Sequence, residues 1–544
     1  MGRIIRICEW ALGAAVLAAP VAASSQPEDL VGRYASARVA EIGERDSIAL
    51  NGYLKLYKQA PDSEILADRL FDSAIRSGDM TTAVRAARAK ELHSGGNAET
   101  ALLLFADAWR AKNWRMANLA ADELSVSGNL GFIAPILKSW VNVAQGNSAD
   151  LPDAAPDTNS FFAYYSADQR IYLDLASGQF AKAKFGLRAI ATQSGSHVRD
   201  VMIAGAYSLA DNDGDQAFAE ALMRSAVGPA EGLPARGGKM TAERGLSSLY
   251  ARISSALIEQ DMTKEGLVLA RIGGWISPAQ ANVQLALANA LHANSLSGDA
   301  LRLLEQQPVT SPYRMAALEA RVNMLIDQKR LSEAEGIVTE AGKLAPKSIA
   351  TKVLYARVQE ASGNLPVVIS SFREMTEASD FFKLPPRQQS SYRLLLASAL
   401  DRSGNWPLAK AEIEKLLTVD PNNAQALNYL GYSLLERGVE RERATDMVKR
   451  AYALEPTSSA ITDSLGWAYF LQGDAKQALP LLEKAAKDAG TDVAINEHLG
   501  DAYWTLGRRR DARYAWRVAN HASEGETAVR LSKKIDIGLA DLPR

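Results

Sequence analysis

Leu465-Gly-Trp-Ala-Tyr469 and Leu499-Gly-Asp-Ala-Tyr503 are two copies of one short sequence, and they decide how the whole chain is interpreted. A glycine follows each copy four residues later, at Gly473 and Gly507. The two copies start 34 residues apart. A fixed period of this length indicates an internal repeat, in which each copy is one small structural unit.

The same pattern continues upstream of these two copies. The anchor leucines are Leu396, Leu430, Leu465 and Leu499, at spacings of 34, 35 and 34 residues. Each unit later contains an alanine in a second apolar stretch, at Ala409, Ala444, Ala478 and Ala512. Weaker copies are found near positions 355, 321 and 287. The apolar residues have helical spacing throughout, and no run alternates as a β-strand would.

The small residues explain why each unit folds as two packed helices. A glycine or alanine after the anchor leucine allows two antiparallel helices to approach closely. The glycine in the middle of the unit is placed where the first helix ends in a left-handed residue. We expect Asn422, Thr457 or Ser458 to cap the helix that begins the following unit.

This pattern of Leu-Gly-x-x-Tyr and Ala-x-x-x-Phe resembles the tetratricopeptide repeat (TPR) family over residues 391–522. The family's tryptophan early in the unit is replaced by Leu427, Thr462 and Asn496. The resemblance implies an all-α fold, a right-handed superhelical solenoid of antiparallel helix pairs. We expect about twelve to fourteen pairs, no sheet, and contacts only between neighbouring units.

The quality of the match divides the chain into five regions. They are a signal peptide (1–23), a divergent helical-repeat region (24–280), TPR-like repeats (281–375), well-matched TPR repeats (376–522), and a C-terminal capping helix and tail (523–544).

The first 23 residues have the features of an export signal. Arg3 and Arg6 precede the apolar run 10–19, and small residues follow it, so we expect cleavage before Ser24. About ten apolar residues are too few to span a bilayer, which takes roughly 20. Cys8 lies in front of the run, where it cannot serve as a lipid-attachment residue. The sequence therefore predicts a periplasmic or secreted protein, with a location peripheral to the outer membrane as one variant.

Composition argues against several other classes of function. The net charge is -2, without the basic excess of a nucleic-acid binder. Cys8 is the only cysteine, so the mature chain would have no thiolate for a metal or a nucleophile. The five histidines include no pair spaced three or four apart, and we expect each at the surface or at a helix end. We therefore predict no enzyme, no cofactor, no metal site and no integral membrane segment in the mature chain.

The resemblance also implies where a partner would bind, since TPR units line a concave groove with defined positions of their first helices. Counting the anchor leucine as position 7 transfers positions 5, 9 and 12 onto this sequence. The candidate protein-binding residues are Asn428, Tyr432, Asp463, Trp467, Phe470, Glu497, Asp501 and Trp504. Large aromatic side chains flanked by carboxylates are typical of a binding surface.

Two occupants of this groove are consistent with the sequence. The chain's own tail, residues 523–541 with Leu531, Ile535 and Ile537, could pack over the aromatic residues. Alternatively, the groove could take a partner segment with apolar anchors and basic flanks. Both hold if the tail can be displaced.

These observations predict a protein-protein interaction scaffold or adaptor of the bacterial cell envelope. The whole array also resembles exported bacterial repeat proteins that deliver substrates to carboxyl-terminal processing proteases. An envelope protease or an assembly machinery is therefore the expected class of partner. The alternative is a structural component of an outer-membrane secretion, polysaccharide-export or pilus assembly.

Overall fold

The computed structural model describes residues 30–539, with gaps at 127–129, 150, 154–159, 192, 194, 213–214, 228–237, 346–347, 380 and 385. The predicted signal peptide, residues 1–23, lies outside the described residues. The described part contains 28 α-helices and no β-strand, and 80% of the structure is helical. The prediction of an all-α fold is confirmed, with a helix count at the upper end of the expected range.

The chain divides into two compact units, Met1–Ala345 and Pro346–Arg544. The α-helices of the first unit are Leu30–Ile42, Asp46–Gln59, Glu64–Ser77, Met80–Ser94, Ala98–Arg110, Trp114–Val126, Ala134–Ala144, Ser160–Ala176, Phe180–Ile190, Ser196–Asn212, Gln216–Val227, Ala242–Glu259, Thr263–Ile276, Ala281–Ala293, Ser297–Glu305, Arg314–Asp327 and Leu331–Leu344. Those of the second unit are Ile349–Ala361, Leu365–Glu377, Pro386–Arg402, Trp406–Val419, Ala424–Glu436, Arg441–Leu454, Ser459–Leu471, Ala475–Ala489, Val493–Thr505, Arg509–His521 and Gly525–Ile537. Short 3₁₀ turns lie at Gly131–Ile133 and Phe381–Lys383.

In the second unit, the helix pairs pack as the small residues of the repeat predict. A Cβ atom placed on Gly500 would lie 2.3 Å from the indole of Trp516, and one on Gly466 would lie 2.8 Å from Leu482. Only glycine allows helices this close. The alanines of the second helices are fully buried in the contact, at Ala409, Ala444, Ala478 and Ala512.

The ends of these helices also follow from local sequence. Gly473 and Gly507, the glycines of the turn inside each pair, have φ angles of 84° and 81°, in the left-handed region. The first helices are capped by side chains that accept a backbone N–H bond, those of Asn423, Ser458 and Asp492. The expectation was therefore right for Ser458 and wrong for Asn422, because the neighbouring Asn423 is the residue at the helix boundary.

The first unit departs from the expectation that each repeat contacts only its neighbours. Arg271 donates hydrogen bonds to the carbonyl oxygens of Ile75 and Arg76, which end a helix 196 and 195 residues earlier. Tyr250 Oη bonds to the carbonyl oxygen of Leu102 at 3.1 Å. The helix Ala242–Glu259 buries residues on almost every side. Because it has more than one apolar face, it contacts helices distant in sequence as well as the adjacent one.

No helix among the described residues combines the length and the apolar character that crossing a membrane requires.

Candidate protein-binding groove

The eight predicted groove residues lie on three first helices of the second unit, Ala424–Glu436, Ser459–Leu471 and Val493–Thr505. Neighbouring first helices bring residues one repeat apart in sequence into contact. The structure separates the eight into two groups, an open part around Trp467 and a part covered by the C-terminal helix Gly525–Ile537.

A buried histidine is at the centre of the open part. His498 Nδ1 lies 2.9 Å from Asp463 Oδ2, and both side chains are buried. The indole of Trp467 stacks on the imidazole, with ring centroids 3.9 Å apart and an angle of 14° between the planes. This arrangement corrects the expectation that every histidine lies at the surface or at a helix end. It also shows that Asp463 is an internal partner of His498 and not a solvent-facing carboxylate.

The environment of His498 favours its protonated form. Burial alone would lower the pKa of the imidazole, but the charge and hydrogen bond of Asp463, with Asp501 and Glu436 nearby, outweigh it and raise that pKa above its ordinary value. A protonated ring under Trp467 also makes a favourable cation–π contact. The hydrogen bond to Asp463 holds the imidazole in place, and the stacked ring fixes the position of the indole.

Two further predicted aromatic residues extend this cluster. Phe470 stacks on Trp467 with ring centroids 4.9 Å apart, and Tyr432 lies 6.1 Å from the ring of His498. The Trp467 indole N–H donates to Glu436 Oε1 at 2.5 Å. Tyr432, Trp467 and Phe470 are all half-buried, and Glu436 is exposed. Trp467 and Phe470 thus present an ordered aromatic surface beside an exposed carboxylate.

Asn428 lies on the same helix as Tyr432 and is half-buried. Within the described residues, its buried side-chain oxygen Oδ1 has no hydrogen-bond partner. A buried acceptor without a partner is unfavourable, so this side chain is a weak point of the packing between the first helices.

The remaining three residues, Glu497, Asp501 and Trp504, are covered by the helix Gly525–Ile537. Lys534 Nζ lies 2.7 Å from Glu497 Oε1 and 2.7 Å from Asp501 Oδ2. Glu497 and Asp501 are buried, which differs from the expected rim of exposed carboxylates. Trp504 packs against Trp516 at 5.3 Å, so the predicted row of aromatic residues ends at Phe470.

Comparisons with known proteins agree with the repeat pattern. No protein-family model matches the chain. A TPR repeat-containing protein of Pseudomonas aeruginosa is 37% identical over 95 residues, which are 17% of this chain and 16% of that protein. The match thus spans about a sixth of the relative.

Solved structures of similar architecture include yeast Tom70 (12% identity, TM-score 0.40, covering 93% of this chain and 99% of that one). They also include the APC/C hetero-tetramer Cut9-Hcn1 (15%, 0.37, 93% and 96%) and a tetratricopeptide repeat protein from Parabacteroides merdae (13%, 0.35, 53% and 98%). TM-scores this low add no weight, and the assignment rests on the register of the repeats and their packing.

The chain is built from tetratricopeptide-type repeats. Repeats of this type generally form scaffolds for protein-protein interaction and are typically non-catalytic.

Sequence analysis of the TPR positions missed three residues that organise the groove, His498, Arg530 and Lys534. His498 occupies position 6 of its repeat, which is not among the transferred groove positions. A signal was nevertheless present, because His498 follows Asp463 by 35 residues, one more than the 34-residue period, which places it beside Asp463 on the next first helix. For the tail, Arg530 and Lys534 are four residues apart and therefore share one helix face, as Glu497 and Asp501 do.

Proposed function

We propose that this TPR protein is an envelope scaffold or adaptor that recruits another protein through the open part of its groove. The observation that carries the proposal is the aromatic surface of Trp467 and Phe470, held in place by His498 and bordered by Glu436. A buried histidine–carboxylate pair lies under the half-buried face of Trp467 and fixes its orientation. It supports a surface whose side chains are pre-positioned for binding.

The chemistry of this surface indicates what it would recognise. Stacked aromatic rings contribute large apolar area at low entropic cost, as binding anchors do. Glu436 is exposed, so it favours donors on the partner. A segment with an apolar side chain flanked by lysine, arginine or backbone N–H groups fits these features.

Affinity capture from envelope extracts of the native cell tests this function. The double variant Trp467→Ala with Phe470→Ala removes the aromatic surface. Tyr514→Ala is the matched control, because Tyr514 is an aromatic residue on the helix Arg509–His521 and is 71% exposed. We expect the wild type and the control to retain the same protein, and the groove variant to lose it with its helical circular dichroism unchanged. A single stoichiometric assembly retained by all three would instead favour a structural component of a secretion, export or pilus machinery.

Export is proposed from residues 1–23 alone. Amino-terminal sequencing of the protein from an envelope fraction should begin at Ser24. A protein that starts at Met1 and fractionates with the cytoplasm would contradict the envelope role, while leaving the groove as a binding surface.

A further inference from the structure

The C-terminal helix Gly525–Ile537 makes the contacts that a bound partner helix would make. Its apolar side is formed by Leu531, which is fully buried against Trp516, and by Ile535 beside Trp504. A Cβ on Gly538 would fall 1.8 Å from the indole of Trp504, so the end of the helix lies directly on that ring.

Its polar side is basic and matches two acidic residues of the last repeat. Lys534 bonds to both Glu497 and Asp501, and Arg530 Nη2 lies 2.7 Å from Glu497 Oε2. Lys534 is itself buried, at 7% exposure. The covered part of the groove is therefore filled by an amphipathic helix with positive charge on one side and aliphatic residues beside it.

The acidic pair creates a requirement for a cation. Glu497 and Asp501 are both buried and lie one helical turn apart, an arrangement of like charges that is unfavourable by itself. Burial raises the pKa of Asp501, and Lys534 only partly opposes that effect. Besides Lys534, Asp501 accepts a hydrogen bond from the indole N–H of Trp516, at 2.9 Å. A helix that takes its place would bury the same two carboxylates again, so it must also bring a basic group.

The hold of the helix on this site is nevertheless modest. A buried ion cluster gains little net stability, because the charges must first lose their hydration. Arg530 is 56% exposed, and an ion pair this exposed contributes little. Leu531 is the only apolar side chain of the helix that is fully buried.

We propose that the helix Gly525–Ile537 is an internal ligand of the groove, exchanged for a basic amphipathic helix of the partner protein. The incoming helix would repeat the pattern of the tail, with basic residues at the places of Arg530 and Lys534 and aliphatic residues at those of Leu531 and Ile535. From there it continues toward Phe470 and Trp467. This inference rests on the proposed function, since it names the partner chemistry for the same groove and makes the tail its competitor.

A labelled peptide with the tail sequence, residues 525–539, tests the exchange in the full-length chain by fluorescence anisotropy. Wild-type protein should bind it weakly, because apparent affinity falls with the fraction of chains whose groove is free. Lys534→Gln in the protein weakens its own tail and should tighten peptide binding by about ten-fold or more. The double variant Arg530→Glu with Lys534→Glu should tighten peptide binding still more. If the double variant does not fold, Lys534→Gln alone still tests the exchange.

Two controls define what the groove recognises. A peptide that keeps only Arg530, Leu531, Lys534 and Ile535 on an alanine and glutamine background should bind like the tail sequence. A peptide with glutamate at positions 530 and 534 should not bind. Adding Glu497→Gln to the Lys534→Gln protein should reduce its affinity for the tail peptide.

Several results would overturn the inference. Folded Lys534→Gln protein that binds the peptide no better than the wild type would show that the tail does not compete. If the glutamate peptide binds as tightly as the tail peptide, Glu497 and Asp501 do not select for basic residues. Light scattering could also show that the variants form dimers. That result would mean that the tail binds the groove of a second copy of the chain. None of these results would affect the affinity capture of a partner protein through Trp467 and Phe470. The proposed function is therefore tested separately from the exchange of the tail.

Discussion

At the scale of single residues, buried titratable groups set the properties of this protein that respond to pH. His498 in the second unit and Asp200 in the first are both surrounded by protein, but their surroundings act in opposite directions on stability. His498 has a carboxylate within hydrogen-bond distance, so its charged form is favoured. Asp200 has a looser ion pair, with Arg199 Nε 3.6 Å from its Oδ1, and burial outweighs that contact.

The stability contributed by His498 should depend on pH. Because its pKa in the folded protein is raised above the ordinary 6.5, this contribution is complete below about pH 6.5 and is lost as the pH rises through the folded pKa. His498→Gln should therefore cost more free energy of unfolding at about pH 6 than at about pH 9. Urea titration of both proteins at the two pH values measures the difference.

His521→Gln is the matched control, because His521 is exposed at the end of a helix. It should change the unfolding free energy little at either pH. A cost of His498→Gln that is the same at both pH values would contradict the charged pair with Asp463.

Asp200 should destabilise the fold when it ionises. It lines a cavity of about 150 Å³ with Tyr172 and Asn282, and burial, opposed by Arg199, raises its pKa to about 6. The folded state then binds more protons than the unfolded state between the ordinary value of 3.8 and about 6, so stability falls as the pH rises through this window. Asp200→Asn should be more stable than the wild type at about pH 7.5 and nearly equal to it at about pH 4.

Asp215 provides a contrast of opposite sign. It pairs with Lys184 at 2.9 Å and accepts a hydrogen bond from the backbone N–H of Phe218, and these contacts lower its pKa. Asp215→Asn should therefore lose stability at neutral pH. If both Asn variants shift in the same direction, burial does not control the ionisation of Asp200.

At the scale of helices, the close contact inside each TPR pair is the feature that the sequence predicts best. The spacing of Leu465 and Leu499 gave the correct register, because the two helices of every unit are in close contact at a small residue. Lys534 with Asp501 and His498 with Asp463 could not be predicted in this way. Those contacts join residues 33 and 35 positions apart, and they form only where separate helices stack.

Gly500→Ala tests this contact. Its Cβ would lie 2.3 Å from the indole of Trp516, which is fully buried and bonded to Asp501, so the ring has little room to move. Overpacking of this kind costs about 1–3 kcal/mol. Thermal unfolding followed by circular dichroism should show the loss in the second unit.

Gly336→Ala is the matched control. Gly336 is an exposed glycine inside a helix, and a Cβ there would meet no atom within 4 Å. Alanine should raise stability by about 0.5–1 kcal/mol, since it costs less backbone entropy than glycine. If both alanines are stabilising, the helices of the last pair are not in close contact at Gly500.

At the scale of the whole molecule, the two units differ in how far the repeat rule applies. In the second unit, each helix contacts its own partner and the adjacent pairs, so the 34-residue period predicted the helix pairs. In the first, Tyr250 and Arg271 bond to helices 148 and 196 residues earlier in the chain. The divergence of the repeats upstream of residue 281 agrees with this difference, because a residue with contacts outside its own pair need not follow the repeat.

The groove positions and two possible occupants followed from the sequence, but which occupant covers which part of the groove did not. The positions of Tyr432, Trp467 and Phe470 followed from the register of the first helices. The coverage of Trp504 by the tail depends on a helix outside the repeats, for which the TPR pattern provides no position. Binding of another protein in this groove remains a prediction for all eight residues.

Site-specific photo-crosslinking in the native cell is the decisive test of partner binding in the groove. Benzoyl-phenylalanine replaces Phe470 in the open part of the groove or, as the control, Tyr514 on the helix Arg509–His521. We expect one discrete crosslinked protein from position 470, which is lost when Trp467→Ala is added and is absent from position 514. Crosslinks from position 470 only to residues 525–539 of the same chain, or the same products from both positions, would contradict a protein-binding groove.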